Sequence, residues 1–415
     1  MLGATVFTAA PAGAVTVPGA GTYQLAVARS GMCLDVPGGS TASGALLQQW
    51  GCGTGQANQQ WTLAPSGAGT FQVVNVRSGL CLSDQSASTA AGTAVVQEAC
   101  TANSNKQWAF RPVTAAGRSW SDKADGFAAT GGGTTGGTAG PTVTVSTFAD
   151  LVKYATADGP YTIRVAAAVT VAPYGYEIPV KSDKTLIGVG TAGELVHGGL
   201  FLGPGVHNVI IRNLTIRDAR MADDDPDDKV YDYDGIQMDT ADHVWIDHNR
   251  IERMNDGLID SRKDTSYLTV SWNVLGEENK AFGIGWTDHV TARITVHHNW
   301  IHDTTQRNPS VDNVALAHLY NNYLQNIGSY GNLSRGASKT VIQNSYYDHV
   351  ANPYYNDTDA AALVETGSIA VDSTGRQQTH GTAFDPAAYY PYTLDPAQDV
   401  PALLTRYAGP QPNIG

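Results

Sequence analysis

The sequence predicts an all-β protein in two parts: a small β-rich repeat unit, then a parallel β-solenoid. Three observations carry this. Beyond residue 200, short strands rich in Val, Ile and Thr recur at intervals in the low twenties, each reaching an Asn. Residues 22–65 and 70–113 are copies of each other. Residues 114–140 separate the two systems with Gly and Thr and no helical period. The bulk numbers agree. Of 415 residues 42% are hydrophobic, enough for a sizeable core, so wholesale disorder is excluded. Lys and Arg total 25 against 38 Asp and Glu, a formal charge of −13 that disfavours nucleic acid as a partner. No run approaches the ~18 apolar residues of a membrane span.

Taken in order, residues 1–20 read as a leader remnant. Ala12-Gly13-Ala14 follows a short apolar stretch in the manner of a signal-peptidase site, and the expected location is extracellular. Four cysteines follow, with the interval of 19 occurring twice, between Cys33 and Cys52 and between Cys81 and Cys100. Two local disulfides are the simplest reading, and they too imply an oxidising compartment. In the repeat, Arg29-Ser30-Gly31-Met32-Cys33-Leu34 matches Arg77-Ser78-Gly79-Leu80-Cys81-Leu82, and each copy closes on a Trp, Trp61 and Trp108.

This pattern resembles the ricin-B-type lectin repeat, a β-trefoil of carbohydrate-binding module family 13, over residues 21–113. That fold normally uses three units, whereas two are present, so a partial trefoil is expected. The resemblance places a sugar site in copy one, at Asp35, Trp50, Asn58 and Gln59, with plant cell-wall polysaccharide as ligand. Copy two carries Ser83, Glu98, Asn105 and Lys106 at those places. Trp61 and Trp108 are expected in the core. Residues 114–125 then read as a linker.

In the solenoid region the repeating Asn residues are Asn213, Asn249, Asn273, Asn299, Asn322 and Asn344. Amides stacked at a repeated bend can bond one another and so satisfy buried polar atoms. Residues one period apart lie ~4.8 Å apart on adjacent coils. Asp256 and Asp260 follow Asp234 by 22 and 26 residues, Lys280 follows Asp260 by 20, and Arg307 follows Lys280 by 27. One face of successive coils therefore carries carboxylates, then an ammonium, then a guanidinium. Carboxylates without thiols or metal-spaced histidines suit Ca²⁺ rather than Zn²⁺.

Residues 126–415 resemble the pectate lyases of polysaccharide lyase family 1. Gly126-Phe127 through Thr135-Gly136-Gly137, the run Lys181–Gly188, Val244-Trp245-Ile246-Asp247-His248, Arg307-Asn308-Pro309 and Tyr389-Tyr390-Pro391-Tyr392 carry the resemblance. It implies a right-handed parallel β-helix that cleaves polygalacturonate by Ca²⁺-dependent β-elimination, yielding 4,5-unsaturated oligogalacturonates. It assigns calcium to Asp234, Asp256 and Asp260, with Asp232 as a fourth ligand. Lys280 holds a substrate carboxylate, and Arg307 removes the proton at C5, with Lys280 the alternative base. Asp312 stands where members commonly carry a second Arg, which alters one substrate contact. Arginine normally stays protonated, so Arg307 as base predicts an alkaline optimum.

Other polar groups read more plainly. The acidic run Asp223–Asp228 is expected to be a solvated loop, and Asp247-His248, His297 and His298 to be structural. Two other functions stand beside the lyase. One is a polygalacturonase-like hydrolase using Asp256 and Asp260 as acid and base. The other is a non-catalytic pectin- or cell-wall-binding protein. A monomer is expected, without membrane or nucleic-acid partners.

Overall fold

The computed structural model describes residues 20–26, 32–67, 70–90, 92–110, 120–221 and 231–415. Residues 1–19 of the leader remnant, the first half of the linker (114–119) and the acidic run Asp223–Asp228 lie outside these. Two units are distinct, one ending at Arg118 and one beginning at Ser119.

In the N-terminal unit, six strands form one antiparallel sheet and Cys33–Asp35 pairs with Gln48–Trp50 in a second. Both expected disulfides are present, Cys33–Cys52 and Cys81–Cys100. Trp61 is fully buried and donates its indole N–H to Leu34 O at 3.1 Å. Trp108 repeats the contact in the second copy, donating to Leu82 O at 2.9 Å. A large apolar ring with a satisfied N–H suits a small core; Trp61 sits in it as expected, while Trp108 is partly buried against it.

The C-terminal unit is a parallel β-helix. One face is a 10-stranded parallel sheet, and the other strands form a 16-stranded sheet with two branches, joined through the long strand Val274–Gly285. The sequence explains the stacking. Along the 10-stranded sheet, Ile211, Ile246, Val270, Val296, Leu319 and Ile342 lie directly over one another, all essentially buried. β-Branched and Leu side chains at alternate positions give each strand one face to bury. The next row outward, Trp245, Thr269, Thr295 and His318, is covered by other parts of the chain. Thr269 and Thr295 accept hydrogen bonds from the backbone N–H groups of Ala128 and Phe127. Gly126, at φ +56°, makes that approach possible, since a Cβ there would fall 2.7 Å from both threonines. Phe127 in turn packs against Tyr390 of the Tyr-rich tail, ring centroids 4.9 Å apart.

The segment expected as linker is described from Trp120 onward, and there it lies on the β-helix. Trp120 packs on His248 and Trp272, and Asp122 pairs with the buried Arg212 at 2.7 Å. Helix is scarce, as expected. A short one, Phe148–Ala155, starts at Thr147, whose hydroxyl accepts the Asp150 N–H, and buries Leu151 and Ala155. A second covers Val400–Tyr407.

The amide ladder exists with one correction. Asn249, Asn273, Asn299 and Asn322 form it, each Oδ1 accepting the backbone N–H of the residue one coil before. Asn213 and Asn344 are not rungs. They hold the left-handed bend position one residue earlier, and the rung positions on their coils are Leu214 and Ser345. Asn tolerates positive φ better than most residues, so the bend and the rung both select it and the spacing alone confuses them. Asp247 and His248 are structural, as expected. Asp247 accepts from Arg212 at 2.8 Å and from Ser271 at 2.8 Å, and meets His248 at 2.7 Å. His297 and His298 are likewise buried, facing each other and the carboxylates of Asp125 and Asp395.

Candidate active site

The second branch of the 16-stranded sheet positions the chemistry. Ile236–Asp239, Gly257–Arg262, the end of Val274–Gly285, and Ser310–Asp312 follow one another in parallel register. Gly257 pairs with Lys280 and Lys280 with Gln306, so Asp256, Lys280 and Arg307 come from successive coils at one end of these strands. Asp232 and Asp234 enter just before Ile236.

Among the described residues, Asp232, Asp234 and Asp256 each place a carboxylate oxygen within 4.8 Å of the others. Asp234 is fully buried, and its Oδ1 accepts the Gly257 N–H at 2.6 Å. Gly257 is required here, because a Cβ would fall 2.8 Å from Asp234 Oδ1 and 3.1 Å from Asp260 Oδ1. Asp260 is also buried, its Oδ1 on the same side of Gly257 as Asp234 Oδ1, and Arg307 Nη1 lies 3.8 Å from that oxygen. That oxygen has no hydrogen-bond partner. Lys280 forms an ion pair with Asp256.

So many carboxylates in one place cannot all ionise easily. Burial, reinforced by Asp260 and Glu177, pushes Asp234 far above the usual carboxylate range. Burial carries Asp260 up to about 7 despite Arg307, and Asp232 is raised by burial and by Asp256. An oxygen-only donor set that is short of positive charge, with an unpartnered buried oxygen beside it, fits a hard divalent cation such as Ca²⁺. Asp234, Asp256, Asp260 and Asp232 are the residues that could hold it.

At the far end of the groove, Trp286 lies over the Arg307 guanidinium, 5.1 Å from ring centroid to carbon, and is 50% exposed. Asp312 is one coil from Arg335 in direct register, and both line a hollow with Arg307 and Trp286.

The N-terminal unit has its own cavity, of about 640 Å³, lined by Asp35, Trp50, Asn58 and Gln59 together with Gln48 and Arg77. Asp35 is buried and accepts from Gln48 at 3.0 Å, Asn58 at 2.7 Å and Gln59 at 3.1 Å. Trp50 is 63% exposed. In copy two the equivalent residues bond to one another. Lys106 pairs with Glu98 at 2.9 Å, Ser83 donates to Glu98, and Asn105 donates to Ser83.

Comparison with known proteins agrees with this geometry. A family model described as pectate lyase matches residues 111–413. The chain belongs to the pectate lyase family. It is thus a polysaccharide lyase, with an N-terminal region matching the ricin-type β-trefoil lectin domain-like model over residues 13–82 and 57–140. The pectate trisaccharide-lyase of Thermotoga maritima is 32% identical over 318 residues, covering 67% of this chain and 84% of that enzyme. The pectate trisaccharide-lyase of Bacillus licheniformis is 32% identical over 302 residues, 68% of this chain and 85% of the relative. A pectate lyase from Bacillus sp. N165, solved in complex with trigalacturonate, superposes with a TM-score of 0.59 at 26% identity, covering 69% of this chain and 98% of that one.

The lyase groove also contains residues that sequence reasoning missed. Glu177 lies 57 residues before Asp234, and its Oε1 accepts the Asp234 N–H at 3.0 Å. Burial, with Asp232 and Asp260 nearby, pushes it to about 8. Gly199 sits between them in the stack and leaves room for the contact, a signal visible only once the register is known. Arg262 reaches Asp232 at 3.4 Å and Asp239 at 3.1 Å. Arg335 was legible, since it follows Asp312 by 23 residues, one coil. Trp286 carried no periodic signal.

Proposed function

We propose that the chain is a secreted, monomeric lyase that cleaves α-1,4-polygalacturonate by calcium-dependent β-elimination, giving 4,5-unsaturated oligogalacturonates. The observation that carries this reading is the succession along one groove of a carboxylate triad, Lys280 and Arg307. The family, and the solved relative holding trigalacturonate, support the substrate class.

Asp234, Asp256 and Asp260, with Asp232 as a fourth, would hold calcium, which when bound would supply Lewis-acid polarisation of a substrate carboxylate and so acidify the proton next to it. Lys280, paired with Asp256 in the free protein, turns its ammonium to a second substrate carboxylate. Arg307 stands beyond it and takes the C5 proton; the electron pair of that C–H bond forms the C4–C5 double bond as the C4–O bond breaks, and the leaving oxygen takes a proton from solvent. A guanidinium accepts a proton only when neutral, so this role predicts rates that rise toward alkaline pH. Lys280 is the alternative base.

Two disulfides support secretion, and no helix among the described residues is long and apolar enough to cross a membrane. The N-terminal cavity fits a neutral sugar face, with Trp50 as platform and Asp35, Asn58 and Gln59 as polar partners, and we assign it to plant cell-wall polysaccharide.

The test is ultraviolet absorbance of polygalacturonate incubated with the protein, with chelator and after calcium is restored. The expected result is a rise that chelator stops and calcium restores. Reducing ends without absorbance indicate the hydrolase reading through Asp256 and Asp260; neither signal indicates a binding protein.

A further inference from the structure

The hollow beyond Arg307 holds about 100 Å³, room for one edge of a sugar ring, and is walled by Trp286, Arg307, Ser310, Asp312 and Arg335. Its two charged groups on the side away from Arg307 oppose each other. Asp312 and Arg335 lie in direct register on adjacent strands. Arg335 is further engaged, its Nε donating to Asp357 at 2.9 Å. The Asp312 carboxylate accepts no hydrogen bond from any described residue, though it is half-buried, and burial raises its pKa while Arg335 opposes the rise. The half-exposed ring of Trp286 faces the same space.

This set differs in kind from the other end of the groove. There the carboxylates call for a cation, and Lys280 adds an ammonium. Here the Arg335 guanidinium is already paired with Asp357, and Asp312 forms no ion pair with it, so the far wall offers no net positive charge. A uronate carboxylate entering it meets Asp312 as a like charge. Sugar hydroxyls meet the opposite: an unsatisfied acceptor in Asp312, donors in the Arg335 guanidinium, and an aromatic face in Trp286.

We propose that this hollow is the subsite next to Arg307 and that it holds its sugar through hydroxyl groups, so that it accepts a methyl-esterified galacturonate as readily as a free one. The inference rests on the lyase reading above. Asp312 and Arg335 are specificity-determining residues in it, and neither takes part in the proton transfer.

The experiment compares initial absorbance rates on polygalacturonate and on partly methyl-esterified pectin, for the full chain and for Asp312→Arg and Asp312→Asn. The unaltered protein should give similar kcat/KM on both polymers. Asp312→Arg should shift preference toward unesterified polymer by about tenfold, the scale of one reversed charge contact, chiefly through a lower KM on polygalacturonate. Asp312→Asn, which removes the charge and keeps the shape, should shift it the same way by less. A native protein that rejects esterified polymer overturns the proposal, and so does an unchanged preference in both variants. No absorbance from the native protein on either polymer overturns the lyase reading beneath it.

Discussion

The β-helix stacks polar side chains in two places, with opposite results. Inside the bend, Asn249, Asn273, Asn299 and Asn322 stack as amides. On the outer groove, Asp232, Asp234, Asp256, Asp260 and Glu177 gather as carboxylates. An amide is donor and acceptor at once, so like can satisfy like. Asn273 Nδ2 donates to Ile246 O at 3.0 Å and Asn299 Oδ1 at 2.9 Å, while its own Oδ1 accepts from Asn249. A carboxylate only accepts, so stacking leaves charge against charge until protons or a cation arrive. One parallel register thus makes a structural ladder from one residue type and a cation site from another.

The largest test of this division is Arg307→Ala. A base belonging to the outer stack should carry rate and not fold. The variant should lose about 10²- to 10⁴-fold in kcat on polygalacturonate, while its thermal midpoint moves by no more than a few degrees. A collapse in thermal midpoint equal to the loss of rate would make Arg307 a structural residue.

Next comes a pair of exchanges that swap the two chemistries. Asn273→Asp keeps the shape but turns a donor toward Ile246 O and Asn299 Oδ1 into an acceptor, leaving buried groups unmatched. It should cost about 3 kcal/mol or more in unfolding free energy. Asp234→Asn does the reverse, removing one like charge while its oxygen can still accept the Gly257 N–H. Without calcium it should unfold at a higher temperature than the unaltered protein, and added calcium should then stabilise it less. Equal destabilisation by both exchanges would erase the distinction.

The same comparison was only half legible in the sequence. The period, the aliphatic stack and the line of Asp234, Asp256, Asp260, Lys280 and Arg307 follow from spacing, because a solenoid turns sequence interval into spatial neighbour. What spacing could not separate were positions one residue apart with the same preference, as Asn213 and Asn344 show. Nor could it find Glu177, whose approach to Asp234 depends on a glycine in the intervening coil. Asp260 was expected among the calcium ligands; its further contact with Arg307, 3.8 Å away, is set by side-chain direction, which no interval encodes.

A smaller effect follows from the titration of the outer stack. Folding raises the pKa of Glu177 to about 8 and of Asp260 to about 7, from about 4 in an unfolded chain. The calcium-free folded state therefore binds more protons than the unfolded state across that window, and its stability falls as pH rises from about 4 to 8. Thermal midpoints measured in chelator should decline over this range, and calcium should flatten the decline. A flat profile in chelator would mean that the carboxylates are already satisfied within the protein.

The contrast between satisfied and unsatisfied polar sets recurs, on a smaller scale, in the two lectin-like copies. In copy two, Lys106 pairs with Glu98 at 2.9 Å, whereas the equivalent residues of copy one line a cavity. Copy one surrounds Asp35 with three neutral amides, so its charge stays available to sugar hydroxyls beneath the exposed Trp50. Trp50 buries no core surface, so Trp50→Ala should leave folding and turnover of soluble polygalacturonate unchanged. Loss of its stacking face should weaken retention on insoluble wall polysaccharide by about 1 kcal/mol, a several-fold change in bound fraction. Glu98→Gln in copy two should leave retention as it was. If that exchange weakened retention as much as Trp50→Ala, binding would not follow the open copy.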